Sequence, residues 1–196
     1  MLALFRGPRG ICALPSTNTM LIPDTLNHCI RRIDMSTLSV SSMAGGCGNS
    51  GDVSTGSVGT DFRFSNPTGC AFDTSGNIYI ADAGNCKIKR LNSGFSSMTS
   101  YGSGDCGSGE VSDRVGQPNT LFVSNGFLYF PVYTYIKRMQ LSSGIISIYA
   151  GSSTTAALND GTLTGQATFV LFLATEYLSC LLYTSPSLRD RGNHLV

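Results

Sequence analysis

The sequence predicts an all-β fold, a partial β-propeller assembled from copies of one four-stranded antiparallel unit. Three observations carry this expectation. Apolar runs of four to six residues, several of them β-branched or aromatic, are separated by short stretches rich in Gly, Ser, Thr and Asn, which is strand and turn patterning rather than helix patterning. The chain also matches itself three times in the same internal order, the mark of a repeat architecture. Finally, Asp73-Thr74-Ser75-Gly76-Asn77 and Ser124-Asn125-Gly126 each sit between two apolar runs, and such residues supply the positive φ angles of tight hairpins.

The first copy reads Phe5-Arg6-Gly7-Pro8-Arg9-Gly10, Met20-Leu21-Ile22-Pro23-Asp24, Asn27-His28-Cys29-Ile30-Arg31-Arg32-Ile33 and Ser42-Met43-Ala44-Gly45. The second reads Phe64-Ser65-Asn66-Pro67-Thr68-Gly69, Ile78-Tyr79-Ile80-Ala81-Asp82, Asn85-Cys86-Lys87-Ile88-Lys89-Arg90-Leu91 and Tyr101-Gly102. The third is weaker: Gln117-Pro118, Phe127-Leu128-Tyr129-Phe130, Tyr135-Ile136-Lys137-Arg138-Met139 and Ile148-Tyr149-Ala150-Gly151. The central isoleucines Ile30, Ile88 and Ile136 lie 58 and 48 residues apart, the difference falling mainly in glycine-rich links after Gly45 and Gly102. Each copy reads as a four-stranded meander, and a sheet that small buries both faces only by stacking radially on others as a blade. Three blades are fewer than the about four to eight that close a ring, so the chain is expected to be part of a longer protein, with Met1 not its natural start.

Composition narrows the function. A hydrophobic content of 41% over 196 residues provides a core, and 13 basic against 12 acidic residues give a net charge of +1. No overall field draws this chain onto phosphate or an anionic membrane. No run approaches the ~18 apolar residues of a spanning helix, and Met1 to Leu14 lacks the order of a secretory signal.

Pro67-Thr68-Gly69, the strand around Gly76-Asn77-Ile78-Tyr79-Ile80-Ala81-Asp82, then Asn85-Cys86-Lys87-Ile88-Lys89-Arg90, together with the Ala44-Gly45 and Ala150-Gly151 closures of the other copies, resemble the NHL repeat. The resemblance runs from residue 3 to about residue 169. It implies a propeller, six-bladed or similar, that serves as a binding platform and has some enzymatic relatives. The third copy departs from the pattern, with Pro131-Val132 in place of Ala-Asp and no Asn ahead of Ile136.

Candidate chemistry is sparse. Asp24 and Asp82 recur at the end of the second strand; a carboxylate there can bind metal or act as a base, but the reading favoured is a turn carboxylate that caps backbone amides. Arg31-Arg32, Lys89-Arg90 and Lys137-Arg138 recur in the third strand and define a candidate basic stripe, expected to be a solvated face that blunts exposed sheet. Gly51-Asp52, Asp105 and Gly109-Glu110 lack regular calcium-ligand spacing and read as turns. His28 is the only histidine of the repeat region, too few for a zinc site or a triad. No nucleophile elbow, phosphate loop or dinucleotide fingerprint is present, so no catalytic residue, metal or cofactor is assigned.

Cysteines say more. Cys29 and Cys86 fall in the connection between strands two and three, Cys47 and Cys106 in the link to the next blade, and the third copy lacks a cysteine at both places. Those two connections emerge on one face of a meander, and joint absence is what bonded partners show. The expected bridges are Cys29 to Cys47 and Cys86 to Cys106, each stabilising by about 3 kcal/mol in the chain-entropy model; the alternative is free thiols in a cytosolic protein.

The expected function is a non-enzymatic binding module, extracellular or luminal, recognising a protein or glycan through its loop face. The alternative is part of a propeller enzyme, a metal-dependent lyase or lactonase-like hydrolase with its catalytic groups in other blades. Residues 1–166 are expected to form three blades and residues 167–179 to begin a fourth, where Ala167-Thr168-Phe169 repeats Ala3-Leu4-Phe5. Residues 180–196 are expected to be non-native: Cys180-Leu181-Leu182-Tyr183-Thr184-Ser185-Pro186-Ser187-Leu188-Arg189-Asp190 resembles a translated adapter from sequencing-library preparation.

Overall fold

The computed structural model describes residues 4–14, 17–56, 59–107 and 114–151. The expected fourth-copy start at 167–179, the tail at 180–196 and Gly109-Glu110 lie outside the described residues. Among the described residues twelve strands form three antiparallel meanders: β1 (Cys12–Leu14), β2 (Thr19–Asp24), β3 (Cys29–Asp34) and β4 (Ser39–Ala44); β5 (Pro67–Phe72), β6 (Ile78–Asp82), β7 (Lys87–Leu91) and β8 (Met98–Tyr101); β9 (Phe122–Ser124), β10 (Phe127–Val132), β11 (Tyr135–Gln140) and β12 (Ile146–Gly151). These are the three sequence copies, in order. The hairpin signals act as expected: Asn125 and Gly126 both take positive φ between β9 and β10, and the Asp73 carboxylate accepts the backbone N–H groups of Ser75 and Asn77 between β5 and β6.

Alternation along the strands builds the core between blades rather than within one. Ile78 and Ile80 of β6 pack with Leu21, Ile30, Phe62, Phe64 and Leu91 in the core shared by the first and second blades. Tyr79 and Ala81, pointing the other way, join Ile88, Leu128, Phe130 and Met139 in the core shared by the second and third. A strand buried on both faces has no polar side to show, and β6 is accordingly Ile-Tyr-Ile-Ala-Asp with every residue buried.

The Pro-x-Gly motif has a steric cause. Inner strand β5 lies against β1 and β9, and a Cβ on Gly69 would stand 2.5 Å from the Asn119 carbonyl oxygen and 3.0 Å from Thr120 Cα. On Gly10 it would stand 2.8 Å from the Thr68 carbonyl oxygen. Successive blades thus meet backbone to backbone at these glycines. Gly69→Ala is expected to lower stability by about 2 kcal/mol, the scale of overpacking a core, read as a fall in the urea midpoint at constant slope; an unchanged midpoint would show that the inner strands part freely.

Candidate functional site

The β2–β3 and β6–β7 connections are single 3-10 turns, Thr25–Asn27 and Ala83–Asn85, each closed by a left-handed residue, His28 at φ 56° and Cys86 at φ 54°. Asp24 and Asp82 open these turns, both fully buried, and each carboxylate accepts the backbone N–H of the incoming chain at 2.7 Å: Arg6 onto Asp24, Ser65 onto Asp82. Asn27 and Asn85 donate to the second carboxylate oxygen of the same aspartates. Both carboxylates therefore serve as structural acceptors. In the third blade Val132 stands opposite Tyr135, and the two residues Tyr133-Thr134 replace the 3-10 turn, so the missing aspartate and the missing turn are one change.

The blade-to-blade links cross the same face and are held from both sides. Disulfides join Cys29 to Cys47 and Cys86 to Cys106, with Cα atoms 5.0 and 5.2 Å apart, tying each link to the turn of the blade it leaves. The blade it enters then grips it: Asn85 donates to the Gly51 carbonyl at 2.7 Å and Tyr133 to the Cys106 carbonyl at 2.7 Å. His28 reaches across as well, its Nδ1 accepting the Asn66 backbone N–H at 3.1 Å. Leu26, Val53 and Tyr133 remain exposed on this face.

The six basic residues do not share one surface. Lys89 lies opposite Ile80 and Lys137 opposite Phe130, facing the preceding blade, while Arg90 and Arg138 lie opposite Tyr79 and Tyr129 and face the other way. Lys89 is 0% and Lys137 2% exposed. Each donates at 2.6 Å to the backbone carbonyl that opens its own blade, Arg63 or Arg114. In the first blade Arg31 stacks over Phe5, and Lys89 does the same over Phe64. Arg138 is held between the rings of Phe127 and Tyr149. Arg32 alone among the six is exposed. The solvated-face expectation thus holds for Arg32 and is corrected for Lys89 and Lys137, because strand alternation in a stacked blade sends both neighbours of a pair into blade contacts.

Lys89 also centres an ionic cluster that is buried at Asp82 and open to solvent at Asp52. Its ammonium is 2.9 Å from Asp82 and 2.8 Å from Asp52, and Lys87 meets Asp52 at 2.6 Å. Burial pushes the Asp82 carboxyl above its ordinary range, against the pull of Lys89 and Asn85. For Asp52 burial again works upward, but the hydrogen bonds from Lys87 and Lys89 outweigh it and hold the carboxyl below the usual value. Asp105 is paired with Arg114. These acidic loop residues are engaged by basic side chains, and among the described residues no three His, Cys, Asp or Glu side chains gather as a metal-ligand set.

A third disulfide was not anticipated: Cys12 on β1 is bonded to Cys70 on β5, Cα atoms 5.6 Å apart. The signal was present. These cysteines are 58 residues apart, the spacing of Ile30 and Ile88, and so occupy one repeat position in neighbouring blades.

No family model matches the chain, and no curated protein matches it. Among solved structures it is similar to a protein of unknown function from Bacteroides thetaiotaomicron, with 19% identity and a TM-score of 0.60 over 83% of this chain and 40% of that one. Hydrazine synthase from Kuenenia stuttgartiensis gives 15% identity and a TM-score of 0.53, over 78% of this chain and 38% of that one. The fold is a partial β-propeller. Virginiamycin B lyase from Staphylococcus aureus aligns with 16% identity and a TM-score of 0.49, over 72% of this chain and 40% of its own. At these identities the likeness is one of fold, and the chain spans at most 40% of the length of each of these proteins. Three disulfides match an oxidising environment, and no described helix is long and apolar enough to cross a membrane.

Proposed function

We propose that the loop face is the recognition surface of a non-catalytic, NHL-type propeller module that works outside the cell or in a secretory lumen and binds a protein or glycan. The observation that carries this reading is the double anchoring of each link, by a disulfide to one blade and by Asn85 or Tyr133 to the next. Loops held this way are ordered before a ligand arrives, which reduces the entropy lost on binding, and they leave Leu26, Val53 and Tyr133 facing solvent. Asp24 and Asp82, the recurring carboxylates, are occupied by backbone amides.

The test is a screen of the disulfide-intact chain against a printed glycan array and a panel of purified extracellular proteins. A ligand found there is expected to bind about tenfold more weakly, a change of about 1.4 kcal/mol, when Leu26, Val53 and Tyr133 are replaced by Asp. Thr74→Asp, on the exposed hairpin between β5 and β6, is expected to leave binding unchanged. Equal binding by all variants would move the site off this face. One tightly held equivalent of metal together with turnover of a lyase or lactone substrate would replace the reading with an enzymatic one.

A further inference from the structure

On the loop face the repeat supplies its own control for two side chains. Pro8, Pro67 and Pro118 hold one position in the three copies, which sets Arg6 against Ser65 and Gly116, and Arg9 against Thr68 and Asn119. The backbone bond at the first of these positions is the same with arginine as with serine: the N–H of Arg6 reaches Asp24 and that of Ser65 reaches Asp82, both at 2.7 Å. At the second position Thr68 has a task that Arg9 lacks. The Thr68 hydroxyl donates to the Pro118 carbonyl at 2.9 Å, while the matching Pro67 carbonyl receives the hydroxyl of Thr25 at 2.8 Å. Blade contact therefore requires neither guanidinium. Both arginines are exposed, and among the described residues neither has an acidic partner. Their backbone is nonetheless fixed, since Leu26 donates its N–H to the Arg6 carbonyl and Arg9 donates to the Pro23 carbonyl. Leu26 is exposed beside them. Nearby carboxylates are already engaged: Asp24 and Asp82 accept backbone amides, Asp52 meets Lys87 and Lys89, and Asp105 meets Arg114.

We infer that Arg6 and Arg9, with Leu26, form the part of the loop face that takes an acidic peptide segment, one that carries Asp or Glu next to an apolar side chain. This rests on the reading of that face as the recognition surface and adds the chemistry of the partner. A guanidinium presents a planar fork that matches a carboxylate in two-point hydrogen bonding, and a head group carried on fixed backbone loses less freedom when it pairs. Leu26 supplies the apolar contact. A polyanion such as a sulfated glycan gains affinity instead by having many charges neutralised at once, and two arginines on a chain of net charge +1 offer it little.

The test presents the disulfide-intact chain with a library of short peptides in which Leu or Phe is flanked by Asp and Glu, with the same library carrying Lys at the acidic positions, and with heparin. Only the acidic library is expected to bind, more weakly as salt is raised. Arg6→Ser combined with Arg9→Thr is expected to weaken that binding by about tenfold or more, the scale of lost charge-assisted hydrogen bonds. Because the second blade folds with those residues at these positions, the urea midpoint of the variant is expected to stay where it is; a clear fall would make the arginines structural and overturn the inference. Failure of every acidic peptide to bind, preference for heparin, or equal binding by the variant overturns it as well. A ligand from the glycan array or protein panel that the Asp replacements of Leu26, Val53 and Tyr133 weaken, but the arginine variant does not, overturns the acidic partner and leaves the loop-face reading standing.

Discussion

Replacing Cys12 and Cys70 together by alanine is expected to lower stability by about 4 kcal/mol, more than the loss of either other bridge. The bridge closes a span of 58 residues, against 18 and 20 for the other two. In the chain-entropy model the longer closure removes more freedom from the unfolded chain, giving about 4 kcal/mol against about 3. Its position adds to this. It is the one bridge that joins the inner strands of neighbouring blades, beside the contact that Gly10 makes with Thr68, so its loss lets the first blade separate from the second. Both sulfurs belong to buried residues, whereas Cys47 is exposed and Cys106 half-buried, so limited reduction is expected to open the link bridges first, since exchange depends on access to the attacked sulfur. Urea unfolding of the two double variants, Cys12→Ala with Cys70→Ala and Cys29→Ala with Cys47→Ala, measures the difference. Equal losses would show that the central bridge adds no constraint beyond that of a link.

How much of this was legible follows from which interactions are local. Strand and turn order was readable because alternation and the Ser-Gly-Asn and Asn-Gly signals act over a few residues, and β5 to β7 follow them closely. The link bridges were readable because Cys29 with Cys47 and Cys86 with Cys106 appear and vanish together between copies. The Cys12–Cys70 bridge was missed because comparing copies asks what is shared by position, and two cysteines at one position look like repetition rather than partnership. The basic pairs were misread for a related reason. Alternation correctly separates Lys89 from Arg90, but the face of Lys89 is packed on the preceding blade, so the residue that would point to water in an isolated sheet is buried there, while Arg32 of the first blade stays exposed. Only packing between blades, absent from any local pattern, places the Lys89 ammonium beside Asp52, Asp82 and the Arg63 carbonyl.

Lys89→Met is expected to cost about 3 to 5 kcal/mol, the range for breaking a buried pair by removing one partner. Methionine fills much of the lysine stem's volume, so the loss is chiefly electrostatic: Asp82 is fully buried and would keep only its hydrogen bonds from Ser65 and Asn85, while Asp52 would keep Lys87. Adding Asp82→Asn to Lys89→Met removes the stranded charge and leaves an oxygen to accept the Ser65 N–H, so the double variant is expected to recover more than half of the loss. The pH dependence has a definite sign. Burial already raises the Asp82 carboxyl in the native chain, and without Lys89 it rises further, so the folded variant binds that proton more tightly than the unfolded chain does. Stability then falls as pH rises from the unfolded value, about 3.9, through the raised folded value. The deficit of Lys89→Met is therefore largest at neutrality and narrows on acidification. Asp52 runs the other way, since its lowered carboxyl contributes stability above its unfolded value and loses it as pH falls, and removing Lys89 weakens that contribution too, which narrows the gap further in acid. Denaturation of both variants and the native chain at neutral and mildly acidic pH measures this; a deficit that is absent, or the same at both pH values, would show that the Lys89 ammonium is not what keeps the Asp82 carboxylate ionised in the core.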